Sequence, residues 1–132
     1  MKRTIFIISL FWLITNSYGQ TQLELNEAQF KLYKTADQEL NSIYQTILQE
    51  YKKDTAFIIN LKKAQKLWIQ FRDAEMKMKY PDRAPGYYGS IQPLCWYKYL
   101  TELTQARTKT LKIWVEGIQE GDACGGSARG KE

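Results

Sequence analysis

Four carboxylates are candidates for acid/base chemistry: Asp37 and Glu39 in one stretch, Asp73 and Glu75 in another. Paired acids are what glycoside hydrolysis uses, one protonating the leaving group and the other serving as base or nucleophile, given an open cleft and separated pKa values. The chain has no His, and its two thiols, Cys95 and Cys124, are candidates for oxidation, so the common nucleophile and base pairs are missing. No His and two lone cysteines also leave at most half of a structural zinc site. No metal, no cofactor and no catalytic residue is therefore expected.

The same polar residues have a structural reading. Asp37 and Asn41 are one helical turn apart, Gln65, Trp68 and Arg72 share a helix face with Asp73 beside them, and Thr104 and Arg107 share another. A carboxylate at a seam between helices must find a cation, because an unpaired charge in low dielectric is strongly unfavourable. Asp37 is expected to bridge to Arg72 or Arg107, with Arg72 stacked on Trp68 from position i+4. This network is preferred to catalysis, since a small bundle offers little cleft.

The elements that would position these groups are helices. From about Leu23 to Lys53 there is neither Pro nor Gly, and Tyr33, Ala36, Leu40, Ile43, Ile47 and Tyr51 recur three or four apart. Asp54-Thr55 can cap a second helix carrying Ile58, Leu61, Ala64, Trp68, Phe71 and Met78, which Pro81 ends. A third is expected from Ile91 to Ile118, with Leu94, Thr101, Thr104, Leu111, Trp114 and Ile118 inward. The fold class is all-α, a three-helix up-down-up bundle. Trp68, Phe71, Trp96 and Trp114 are expected to dominate its core, each buried ring contributing on the order of 2 to 3 kcal/mol.

Residues 1–19 read as a cleaved signal peptide: Met1-Lys2-Arg3, an apolar run from Thr4 to Ile14, then Ser17 and Gly19 as the small residues before the cut. The apolar run is too short for a bilayer core of roughly 30 Å, so no stable membrane insertion is expected after cleavage. Residues 20–120 then form the helical domain, and residues 121–132 (GDACGGSARGKE) a flexible Gly-rich tail. Losing Lys2 and Arg3 leaves 17 basic residues against 14 acidic, a side-chain charge near +3. With the lysines scattered and no Arg and aromatic stripe, nucleic acid is not an expected partner. In a periplasmic or secreted protein Cys95 and Cys124 most simply form one disulfide, the alternatives being two free thiols or an intermolecular bridge.

Function is better sought in the turn-rich segment from Pro81 to Ser90, where Tyr87-Tyr88-Gly89-Ser90 puts adjacent tyrosines between glycines. Tyr is a strong interface residue, with large apolar area and one hydrogen-bonding tip. The alternative is that one Tyr caps the core while the glycines serve the turn.

From about Gln22 to Leu111 the chain resembles the lysozyme inhibitor LprI-like N-terminal domain family. The residues that carry the resemblance are Leu25-Asn26, Ala36-Asp37, Leu40-Asn41, Tyr44, Ala64-Gln65, Trp68, Arg72-Asp73-Ala74-Glu75, Gly89-Ser90, Leu103-Thr104 and Arg107. Members typically place a Cys directly after the Arg-Asp-Ala-Glu run, able to bridge to the Cys that opens the last helix. This chain has Met76 there, so Cys95 lacks that partner, and pairing with Cys124 would be a substitute. The resemblance implies an exported, non-enzymatic binding domain of the cell envelope with a protein partner, a lysozyme by the family's name. A net charge near +3 gives no long-range steering toward a basic lysozyme, so local acidic patches would have to compensate. The alternatives are a periplasmic structural or assembly partner of another envelope protein, and a small wall-glycan hydrolase.

Overall fold

The computed structural model describes residues 21–131 in full and, for residues 4–20, only their place in the first helix; residues 1–3 of the expected leader, and the side chains of the rest of it, lie outside the described residues. Three helices follow in order, α1 (Thr4–Glu50), α2 (Thr55–Lys79) and α3 (Gln92–Glu116). α2 and α3 match the expected helices to within a few residues, as does the C-terminal end of α1, but α1 begins at Thr4 rather than near Leu23. Among the described residues there is no strand, only an isolated parallel bridge between Ile118 and Gly130. No described helix is long and apolar enough to cross a membrane.

The corner between α1 and α2 is short because Asp54 caps α2: its side chain accepts the Phe57 N–H at 3.0 Å, while Asp54 N–H donates to Tyr51 O at 2.8 Å. The chain therefore reverses, and Tyr51 packs on Phe57 with ring centroids 4.7 Å apart. α2 ends at Tyr80, whose N–H donates to Met76 O before Pro81 prevents continuation. After the second reversal α3 runs parallel to α1, with Phe30 and Tyr33 both against Tyr97 near its start.

α1 and α3 are the most intimately packed pair, and α2 stands further off. Leu40, Ile47, Tyr51, Leu61 and Leu111 form the central cluster, and Ile47 and Leu111 are almost wholly enclosed. The inward stripe of α1 is thus as expected. Two expectations for α2 are corrected. Phe71 is 56% exposed and Met78 is 68% exposed, whereas Met76 is buried at 2%. The true inward row is Leu61, Gln65, Trp68, Arg72 and Met76, which contains two polar residues that a count of apolar positions passes over. The tryptophans do not fill the core either: Trp68, Trp96 and Trp114 are half-buried, lining seams between elements.

Where composition suggests a free Gly-rich tail, residues 118–131 hook back onto the bundle. Ile118 N–H donates to Arg129 O and Lys131 N–H to Ile118 O, each at 2.8 Å. Gly117 makes the hook with φ of +76°, and a Cβ there would sit 3.1 Å from Arg129 O. Arg129 then donates to Glu50 O at 2.6 Å and lies over the Tyr51 ring at 4.3 Å, closing the tail on the α1–α2 corner.

This arrangement separates the cysteines, and both are free thiols. Cys95 is in the first turn of α3, while the segment carrying Cys124 is tied through Ser127 to Trp114 in the last. A helix rising about 1.5 Å per residue puts them on the order of 30 Å apart, far beyond the roughly 7 Å between Cα atoms that a disulfide spans. The expected Cys95–Cys124 bridge is not formed, because α3 is a continuous rod between them.

Candidate functional site

The segment after α2 folds into consecutive turns. Tyr87 N–H donates to Ala84 O at 3.1 Å, Gly89 N–H to Gly86 O at 3.0 Å and Gln92 N–H to Gly89 O at 3.3 Å. Gly89 has φ of +72°, a conformation costly for residues with a Cβ, which is why a glycine belongs there. Two contacts pin the loop to the bundle. Tyr88 OH donates to Pro81 O at 2.7 Å, and on the other side Asn26 of α1 donates to Ser90 O at 3.1 Å. Ser90 therefore serves through its backbone.

The adjacent tyrosines have separate roles. Tyr88 is half-buried, edge-on to Tyr80 with centroids 5.7 Å apart, and Tyr80 in turn packs on Trp96 at 5.6 Å. Tyr87 is 67% exposed, edge-on to Tyr88 at 4.9 Å, with the Arg83 guanidinium 5.9 Å from its ring centre. The loop and the neighbouring helix ends enclose a recess of about 310 Å³, with Lys77, Asp82, Arg83 and Gln92 as its polar walls and Tyr80, Tyr87, Tyr88 and Trp96 as its aromatic ones. Burial is the main reason the Tyr80 hydroxyl is held above its ordinary pKa, with the Cys95 thiol adding to it. Tyr80, Arg83 and Trp96 were not singled out from sequence as part of this site; Tyr80 directly before Pro81 and Trp96 in the first turn of α3 were the available signals.

The polar residues along the helices form separate pairs rather than one network. Asn41 donates to Asp37 at 3.3 Å, within α1. Arg72 grips its neighbour Asp73 through Nε at 2.9 Å and a terminal nitrogen at 2.8 Å, with the guanidinium 5.4 Å from the Trp68 ring centre. Arg107 Nε donates to Gln65 Oε1 at 3.0 Å across the α2–α3 seam. Thr104, fully buried, donates to Leu100 O at 2.7 Å within α3. The stacking of Arg72 on Trp68 is as expected, but the Asp37 bridge to Arg72 or Arg107 is not made. Asp37 is half-buried and accepts from Asn41 on its own helix, while Arg72 is taken by the adjacent Asp73. Asp37, Arg72 and Asp73 still share one neighbour, Tyr33, whose hydroxyl is held above its ordinary pKa chiefly by burial and next by the Asp37 charge.

The other two acids have partners as well. Glu39 pairs with Lys112 at 2.7 Å, and Glu75 accepts from Tyr99 OH at 2.8 Å. No group of three or more His, Cys, Asp or Glu that could hold a metal is found among the described residues.

Comparison with known proteins gives a consistent picture. Residues 15–111 match the model of the family described as lysozyme inhibitor LprI. An uncharacterized protein of Rhizobium meliloti (strain 1021) is 32% identical over 110 residues, an overlap covering 75% of this chain and 77% of that protein. No solved structure matches significantly.

Proposed function

The chain belongs to the lysozyme inhibitor LprI family, and from that premise we propose that it is an exported, non-enzymatic binding protein of the cell envelope, periplasmic or secreted, that blocks a lysozyme with the loop of residues 81–90. The observation that carries this reading is Tyr87: a large exposed ring, buttressed by Tyr88 and Arg83, on a loop fastened to the bundle at Pro81 and Ser90. An aromatic anchor held in place before contact loses little conformational freedom on docking, so more of its buried area appears as affinity. Binding rather than catalysis is further supported by the four acids put forward for acid/base work. Asp37, Glu39, Asp73 and Glu75 are taken up by Asn41, Lys112, Arg72 and Tyr99 respectively.

The test is inhibition of wall lysis. The purified protein in molar excess over lysozyme is expected to slow clearing of a peptidoglycan suspension, and undiminished lysis by several lysozyme types overturns the assignment. Tyr87→Ala is expected to weaken inhibition at least about tenfold, as for an interface anchor costing upwards of 1.4 kcal/mol, while leaving the melting temperature unchanged. Tyr88→Ala, which removes the bond to Pro81 O, is expected to lower both.

A further inference from the structure

A second recess, about 270 Å³, opens between α2 and α3 at the other end of the bundle. Phe57, Leu61, Ala64, Leu111 and Trp114 supply most of its surface, which is mainly apolar. It exists because α2 stands away from its neighbours, whereas α1 and α3 close on each other.

Asn60, Thr110 and Ser127 also border it, and Arg107 is its one charged residue. Arg107 is half-buried and lies beside Trp68, its guanidinium 6.0 Å from the ring centre, and it also lines this recess. Its Nε is spent on Gln65, a neutral partner. The two ion pairs among the described residues, Arg72–Asp73 and Lys112–Glu39, do not include it. Burial lowers its pKa, as befits a cation withdrawn from water without a carboxylate to offset it. Its hydrogen bond to Gln65 uses Nε alone and the residue lines the recess, which leaves the terminal nitrogens for a further acceptor. A planar guanidinium at the edge of an apolar hollow matches a carboxylate in both charge and geometry.

We propose that this recess binds a single-chain carboxylate amphiphile of the medium-chain fatty-acid type, with the alkyl chain among Phe57, Leu61, Leu111 and Trp114 and the carboxylate on Arg107. The size supports one short chain rather than a two-chain lipid, since the volume lies just under the range of roughly 300–1,000 Å³ for small-molecule pockets. Ser127, which accepts the Trp114 indole N–H at 3.0 Å, stands at the rim, so the hooked tail borders the entrance.

The full chain, titrated with sodium decanoate below its micelle concentration, is expected to show a saturable shift of the Trp114 indole resonance in proton–nitrogen NMR. Decanol is expected to bind about tenfold more weakly, the loss of one charge-assisted contact. Ala64→Leu is expected to abolish the shift by filling the recess; the site is exposed and Leu is a good helix former, so helicity and melting temperature should hold. Arg107→Lys is expected to retain part of the preference for decanoate, and Arg107→Gln to lose it. Absence of a saturable shift overturns the proposal, as does equal binding of decanol or an undiminished shift in Ala64→Leu. Tighter binding of a short peptide with a C-terminal leucine would overturn the choice of a fatty acid in favour of a chain terminus. None of these outcomes depends on the lysis assay.

Discussion

The two seams that α3 makes with its neighbours are built on different principles. Against α1 it is closed around an apolar centre: Leu40, Ile47 and Leu111 interlock, the buried Thr104 hydroxyl turns back to its own helix at Leu100 O, and the Lys112–Glu39 ion pair lies at the exposed margin. Against α2 it is open and polar, bridged by Arg107 to Gln65 and Tyr99 to Glu75, with a hollow beside them. The first seam holds the fold together. The second leaves side chains with unused bonding capacity, which is where a small domain can hold a ligand.

The largest effect should come from breaking the closed seam. Ile47→Ala is expected to cost about 3–4 kcal/mol, the usual range for a fully enclosed aliphatic residue whose cavity cannot collapse, read from urea denaturation. Gln65→Ala, on the open seam, is expected to cost about 1–2 kcal/mol because it leaves Arg107 Nε without its acceptor; a loss as large as that of Ile47→Ala would erase the distinction between the seams. Alkaline pH should act where the helices meet near the loop. Tyr33 and Tyr80 hold their protons more tightly folded than unfolded, so their contribution is complete below the ordinary tyrosine pKa near 10 and is lost as pH rises through the higher folded values. The melting temperature is therefore expected to fall above about pH 10, and less so in Tyr33→Phe. The smallest effect is expected at the surface. Asp73→Asn, in an ion pair whose acid is 59% exposed, should change stability by about 0–1 kcal/mol.

Much of the closed seam was legible in the sequence, because Ala36, Leu40, Ile47 and Tyr51 recur with helical period and no glycine or proline interrupts them. The open seam was legible only in part, through Gln65, Trp68 and Arg72 sharing a face of α2. Its inward row mixes Leu61 and Met76 with Gln65 and Arg72, and a search for apolar periodicity drifts from it onto Phe71 and Met78, which face solvent. Spacing also shows which residues share a helix face but not how two helices are rotated against each other, so it could not tell that Asp73 would take Arg72 or that Asp37 would be left to Asn41. The loop was legible as a loop from its prolines and glycines, yet only coordinates separate the exposed Tyr87 from the pinned Tyr88. The hooked tail was hidden for a related reason: composition records its small residues, not that Arg129 reaches Glu50 O and Tyr51.

Met76, buried in the inward row of α2, brings a thioether to the bundle interior. A thioether cannot be cross-linked, and Cys95 and Cys124 are held at opposite ends of one rod, so the described structure has no covalent staple between its elements. The fold as described draws on no thiol oxidation, and the same folded form is expected from a reducing cytosol as from an oxidising compartment, which thermal unfolding of the two preparations would check.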